Sequence, residues 1–391
     1  MKNVFLVPVL ILGIVFYGCS SDDSNSATND SDGNELITPV PFSNIDQQLL
    51  AQIQKVGAIF DTDQIWTGYN LKEMPLYLIH KNDKGMVDKG MIINPQTTIN
   101  GATAIEVSMN EGVEAYLYNK DIQRAYEVLT NGIEANGLYD FDFEIDGKGY
   151  YLQLYSDKEV VAGEEFPSYP GGFFDPDTVT IGAIDFIVHE VFHQYQDTWS
   201  SSSKISRKVN RKALKASNEL LELVTLAHQI FKDFPNTELD ANGLEEKLKQ
   251  YVAITSKTQE MGYNIFGETI EGTARYIETM VLRAAFPKRD NAPFIPGTVL
   301  ENDYGISNKE ILNLVFKEAL YYEIGASVCF ILSIIDRASL DDLNKNERIF
   351  DVSSRIFNMD AQEIEVQIQN ARSSVDWQGI QDKVQEWEQL K

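Results

Sequence analysis

Apolar positions recur along this chain in two textures. From Asp46 to Phe60, residues Leu49, Leu50, Ile53, Val56 and Ile59 follow the spacing of one helix face. The runs then shorten. PLYLIHK (75–81), GMIIN (90–94) and AIEVSMN (104–110) read as strands between Gly, Asn and Asp turns. A helix near 120–135 is stopped by Asn136-Gly137, and FDFEIDGKGYYLQLYS (141–156) reads as a β-hairpin turning at 146–149. The loop EEFPSYPGGFFDPD (164–177) punctuates the change of texture. Beyond it the pattern predicts helices near 180–197, 207–232, 242–258, 267–284, 308–335 and 361–389. The expectation is an α+β chain, with a mixed subdomain over 41–178 and a mostly helical one over 179–391.

The first residues have another character. A short positive region precedes an apolar run, Val4 to Phe16, too short for a membrane span. It ends at Gly18-Cys19, and residues 1–18 resemble a bacterial lipoprotein signal peptide, which implies a lipid on Cys19. Residues 19–40, dominated by Ser, Asp and Asn, read as a flexible tether. Ser20-Ser21-Asp22-Asp23 resembles the acidic signals that send some lipoproteins to the cell surface. The implied address is the outer membrane, with surface exposure, and the implied membrane partner is met through the lipid. With Cys19 acylated only Cys329 remains, so no internal disulfide forms, and the apolar run around Cys329 marks it as a buried small hydrophobe.

Composition narrows the function classes. At 43% hydrophobic and 11% aromatic the chain has material for a large core. A net charge of −26 argues against nucleic acid as a partner, because phosphate binding needs clustered cations. No internal repeat is visible, and the oligomeric state leaves no trace.

The chemistry concentrates in FIVHEVFHQYQD (186–197), which holds two of the four histidines. Four residues apart on a helix, His189 and His193 share a face and can offer both imidazoles to one ion. Glu190 sits about 100° around the same helix, suited to act as general base on a water beside that ion. Ile184, Ile187, Val188, Val191, Phe192 and Tyr195 surround the pair with apolar surface. A catalytic zinc site takes a third protein ligand. His80, at a strand end, and His228, on a helix whose pattern already accounts for it as packing, are poor candidates.

A carboxylate suits better. In GETIEGTARYIETM (267–280), the run Glu271-Gly272-Thr273-Ala274-Arg275-Tyr276 resembles the E-G-x-A-x-Y segment that carries the third zinc ligand of gluzincin peptidases. The resemblance implies Zn2+ held by His189, His193 and Glu271, with Glu268 as a reserve ligand or supporting partner. The small residues after Glu271 are expected to let its helix approach the H-E-x-x-H helix. Tyr322, in a Tyr-x-x-Gly helix with Gly325, is the implied oxyanion donor, ahead of Tyr263 and Tyr276. The resemblance also implies that 64–79 is an edge strand bordering the cleft. Arg275 reads as a structural salt bridge, or as a holder of a substrate carboxylate.

The chain departs from the family in two respects. Seventy-seven residues separate His193 from Glu271, with an insert at about 200–262 that reads as two extra helices. Arg275 also occupies the position where thermolysin-like enzymes keep an aspartate. The implied activity is zinc-dependent hydrolysis of a peptide or protein substrate. Two other readings remain: a non-catalytic surface-binding lipoprotein with a peptidase-like fold, and a zinc hydrolase acting on a non-peptide amide or ester.

Overall fold

A computed structural model describes residues 42–62, 65–82, 84–105, 114–136, 143–156, 181–199, 216–232, 239–286, 306–345 and 347–390. The lipoprotein signal with Cys19, the tether, the 164–177 loop, 106–110 of the expected third strand and 200–215 of the insert lie outside them.

Helix α1 (Asn44–Thr62) leads into a sheet of β1 (Leu76–Lys81), β2 (Val87–Ile93), β3 (Thr103–Ala104), β4 (Ala115–Leu117), β5 (Phe143–Ile145) and β6 (Lys148–Tyr155), with helix α2 (Ile122–Asn136) between β4 and β5. The strand order is β3-β4-β2-β1-β6-β5. β1 runs parallel to β6, and the other pairs are antiparallel. The expected hairpin is present. Asp146 and Gly147 form its turn with φ of 50° and 77°, the left-handed pair that matches strand twist.

One expectation fails here. β1 is hydrogen-bonded on both sides, so 64–79 is not an edge strand, and residues 65–74 before it are turns and a short 3-10 helix. The apolar run of β1 explains this, since a strand buried on both faces belongs inside a sheet. Leu76 and Leu78 face a core shared with α1, while Tyr77 and Ile79 face α2.

The N-terminus of α1 is pinned to the sheet by buried charge. Asp46 accepts from the Ser43 amide at 2.7 Å and the Tyr155 hydroxyl at 2.7 Å, and pairs with the buried Lys89 ammonium. Burial pushes the Asp46 carboxyl up, but these donors outweigh it and hold the group below its ordinary value.

The helical part comprises α3 (Ile181–Gln196), α4 (Asn218–Gln229), α5 (Ala241–Glu260), α6 (Phe266–Ala285), α7 (Lys309–Leu314), α8 (Leu320–Ile335), α9 (Arg337–Asp341), α10 (Ile349–Phe357), α11 (Ala361–Ser373) and α12 (Trp377–Glu388). Polar caps set several starts: Ser217, Asp240 and Asn308 each accept from a first-turn amide, and Asp360 with Glu363 forms a capping box. α4 and α5 are the two helices expected in the insert. The long C-terminal helix is instead two, divided at 374–376, and α9 and α10 were not legible as helices. A π-helical turn, Val315–Ala319, joins α7 to α8.

α6 and α8 meet backbone to backbone. A Cβ on Gly272 would lie 2.7 Å from the Gly325 carbonyl carbon, and one on Gly325 would lie 2.8 Å from the Gly272 Cα. Gly272 thus serves contact with α8, while the expected approach of α6 to α3 is made where Gln196 meets the Ile270 carbonyl and the Thr273 hydroxyl. One hydrophobic core runs from the sheet through α1 and α3 to α6 and α8.

Candidate metal centre

Helix α3 carries the two histidines on its inner side. Ile184, Ile187, Val188, Val191 and Phe192 are all within 1% of full burial, so the helix is fixed by its apolar faces. Behind it Phe192 packs edge-on against Trp66 and Tyr69. His189, Glu190 and His193 are buried at 5–6% exposure.

The two imidazoles and Glu271 of α6 converge. His189 Nε2 and His193 Nε2 are 3.1 Å apart, and Glu271 Oε2 lies 3.4 Å from the first and 3.2 Å from the second. An ion held tetrahedrally at about 2.0–2.1 Å spaces its ligand atoms about 3.3–3.4 Å apart. The edges of the triangle, 3.1 to 3.4 Å, are close to that spacing, two of them slightly under it.

The proton positions follow from the surrounding bonds. The Thr273 hydroxyl donates to the Thr269 carbonyl at 2.6 Å, so it accepts from Gln196 Nε2 at 2.6 Å. Gln196 Nε2 also donates to the Ile270 carbonyl at 2.9 Å. With its amide nitrogen so committed, Gln196 presents its carbonyl to His193 Nδ1 at 2.6 Å, and that nitrogen must carry the proton. On the other side, the Glu278 carboxylate lies 2.7 Å from His189 Nδ1 and pairs with Arg275 through its other oxygen. Both Nδ1 atoms are therefore donors, and both Nε2 lone pairs point into the triangle beside a carboxylate oxygen. Three acceptors facing one another repel unless a cation lies among them. Two imidazoles and a carboxylate are a donor set suited to Zn2+.

Burial raises the Glu271 carboxyl, and only positive charge in the triangle, carried by the imidazoles themselves or by an ion between them, outweighs that and holds it well below the ordinary carboxylate range. Glu190 places a carboxylate oxygen within 4.8 Å of both histidine ligand atoms. Among the described residues no hydrogen-bond partner of its carboxylate is seen. Tyr322 lies with its ring nearly parallel to that of His189, centroids 5.4 Å apart.

No family model, curated protein or solved structure matches this chain. The reading of the site therefore rests on its own geometry.

The other sequence candidates fall elsewhere. Glu268, the reserve ligand, is buried against α5 and accepts from the Tyr251 hydroxyl at 2.7 Å. Burial, only partly offset by that bond, pushes its carboxyl up to about 8. It is a neutral interior acid, because its rotation about α6 turns it from α3 toward α5. His80 bonds Asp88 at 2.6 Å, and His228 pairs with Glu323 of α8. Tyr263 donates to the Phe316 carbonyl at 2.5 Å, and Tyr276 packs on Trp66 in the core. Cys329 is fully buried, as expected, and burial raises its thiol. Sequence reasoning missed Glu278 and Gln196. The signal was present: Glu278 lies seven residues after Glu271 and Gln196 three after His193, spacings that keep each on the ligand's face.

Proposed function

We propose that this chain is a zinc-dependent hydrolase of peptide bonds, related in its working parts to gluzincins. The observation that carries the reading is the triangle of His189 Nε2, His193 Nε2 and Glu271 Oε2, with both Nδ1 protons committed outward and Glu190 beside it. When bound there, zinc would lower the pKa of a water towards about 7 and polarise a carbonyl.

The chain's own groups account for the rest. Glu190 accepts one proton from the attacking water and delivers it to the departing nitrogen as the C–N bond breaks. Tyr322, on the face of His189, is assigned to hydrogen-bond the carbonyl oxygen as charge develops on it. Glu278 and Gln196 hold the two imidazoles in the tautomer that leaves Nε2 free. The proposal includes export, with a lipid on Cys19 as the link to the membrane.

Elemental analysis of the purified chain from residue 20 tests the centre. About one zinc per chain is expected, with much weaker retention in His193→Ala and Glu271→Gln. Glu190→Gln should keep the metal and lose cleavage of a casein substrate. A wild-type chain that takes up no zinc would sink the proposal. Mass spectrometry of the mature N-terminus checks for the acylated Cys19.

A further inference from the structure

The face of α6 that supplies Glu271 carries two more charged side chains. Taking Glu271 as origin, Arg275 and Glu278 lie within a sector of roughly 60°, so the three form one stripe along the helix. Their exposure differs. Glu278 is 5% exposed and the histidines 6–7%, whereas Glu271 is 29% and Arg275 30% exposed. The stripe therefore has a buried end that orients His189, and two members that are each partly exposed.

Arg275 spends one nitrogen on Glu278 Oε1 and has no other side-chain partner among the described residues. A guanidinium has five N–H donors in a planar fork, so a pair suited to a carboxylate is left over. Its surroundings are otherwise acidic: Glu190, Glu271 and Glu278 line the same centre, in a chain of net charge −26. Among the described residues no second cation contacts that set. A partly exposed positive fork on the stripe that lines an acceptor-rich centre suits an anion placed beside the scissile bond.

We infer that Arg275 is a specificity residue that binds the free C-terminal carboxylate of a peptide, so that cleavage removes the last one or two residues. The inference rests on the zinc-hydrolase reading of the same centre. Contacts through His189 and Glu278 place the guanidinium within about 11 Å of the ligand triangle. An extended chain advances about 3.4 Å per residue. After a metal–oxygen and a hydrogen bond are taken from that upper limit, two residues are the most that can fit between them. Polyacidic peptides are disfavoured by the chain's own charge, which leaves a single terminal carboxylate as the fitting anion.

Binding tests this without cleavage. Cobalt(II) replaces zinc, and N-(mercaptoacetyl)phenylalanine is titrated against its C-terminal amide, read by the thiolate–cobalt absorption band. The free acid should bind about ten- to a hundredfold tighter than the amide in the wild type. Arg275→Gln should lose that preference while keeping its cobalt. Arg275→Lys, which retains the charge on Glu278 but not the fork, should keep only part of it. Equal affinity for acid and amide in the wild type, or a preference surviving in Arg275→Gln, overturns the inference and leaves the hydrolase reading intact. A wild type that takes up neither cobalt nor zinc overturns both.

Discussion

Glu268 stores a pH dependence that one substitution should remove. The carboxyl is 2% exposed, hydrogen-bonded by Tyr251 and raised by burial to about 8, against an ordinary 4.5. A group whose folded value is raised contributes stability that is fully present below its unfolded value and lost as pH rises towards the folded one. The window is therefore 4.5 to 8. Each unit of difference corresponds to 1.36 kcal/mol, so at pH 7 the wild type carries a penalty of about 3 kcal/mol for protonating this group in the fold. Between pH 5 and pH 8 the same term removes about 3 kcal/mol of stability. Glu268→Gln keeps the shape and an acceptor for Tyr251 but has no proton to exchange. Urea unfolding of both proteins, saturated with zinc and followed by circular dichroism, should show the wild type losing about 3 kcal/mol more than the variant across that range. Other titrating groups are common to both and cancel in the difference. Parallel stability–pH curves would refute the reasoning and show that Glu268 is ionised or solvated in the folded chain.

Gly325→Ala would drive a methyl into the backbone of α6, and should cost about 1–3 kcal/mol while weakening zinc retention, measured by unfolding and by chelator competition. Gln196→Leu and Glu278→Gln should each weaken zinc roughly 10- to 100-fold with little loss of helix content, read by competition with a fluorescent chelator. Asp46→Asn leaves Lys89 buried without its partner and should destabilise the fold by about 3–5 kcal/mol at pH 7. For the wild type, the Asp46 contribution is present above its unfolded value of 3.8 and lost as pH falls through the depressed folded value, so acid unfolding below pH 3.8 should carry its signature.

The sequence disclosed what depends on local spacing. The H-E-x-x-H pair, the amphipathic α6 and the Asp146-Gly147 turn each follow from residues within a few positions of one another, and each is where the pattern put it. Glu271 beside the histidines was legible only through resemblance, since the 77 intervening residues carry no geometric information. The error over β1 has a related cause. An apolar run signals burial, but only pairing partners reveal whether a strand is central or at an edge, and the partners of β1 lie up to 75 residues away, as in Leu76 with Tyr151. Glu268 was misplaced because it lies about 60° around α6 from Glu271, which turns it toward α5. That angle separates a buried acid bonded to Tyr251 from a carboxylate beside the two histidines.

The contact of Gly272 with Gly325 has a consequence for descent. Neither position tolerates a side chain while the other helix stays in place, although 52 residues separate them in the sequence. Substitution at one cannot be compensated by reshaping the other, which has no side chain to shorten. Lineages that keep this centre should therefore hold both glycines, or lose the pair together with Glu271 and Tyr322. In an alignment of descendants, the signature would be four positions that vary as one character: Glu271, Gly272, Tyr322 and Gly325.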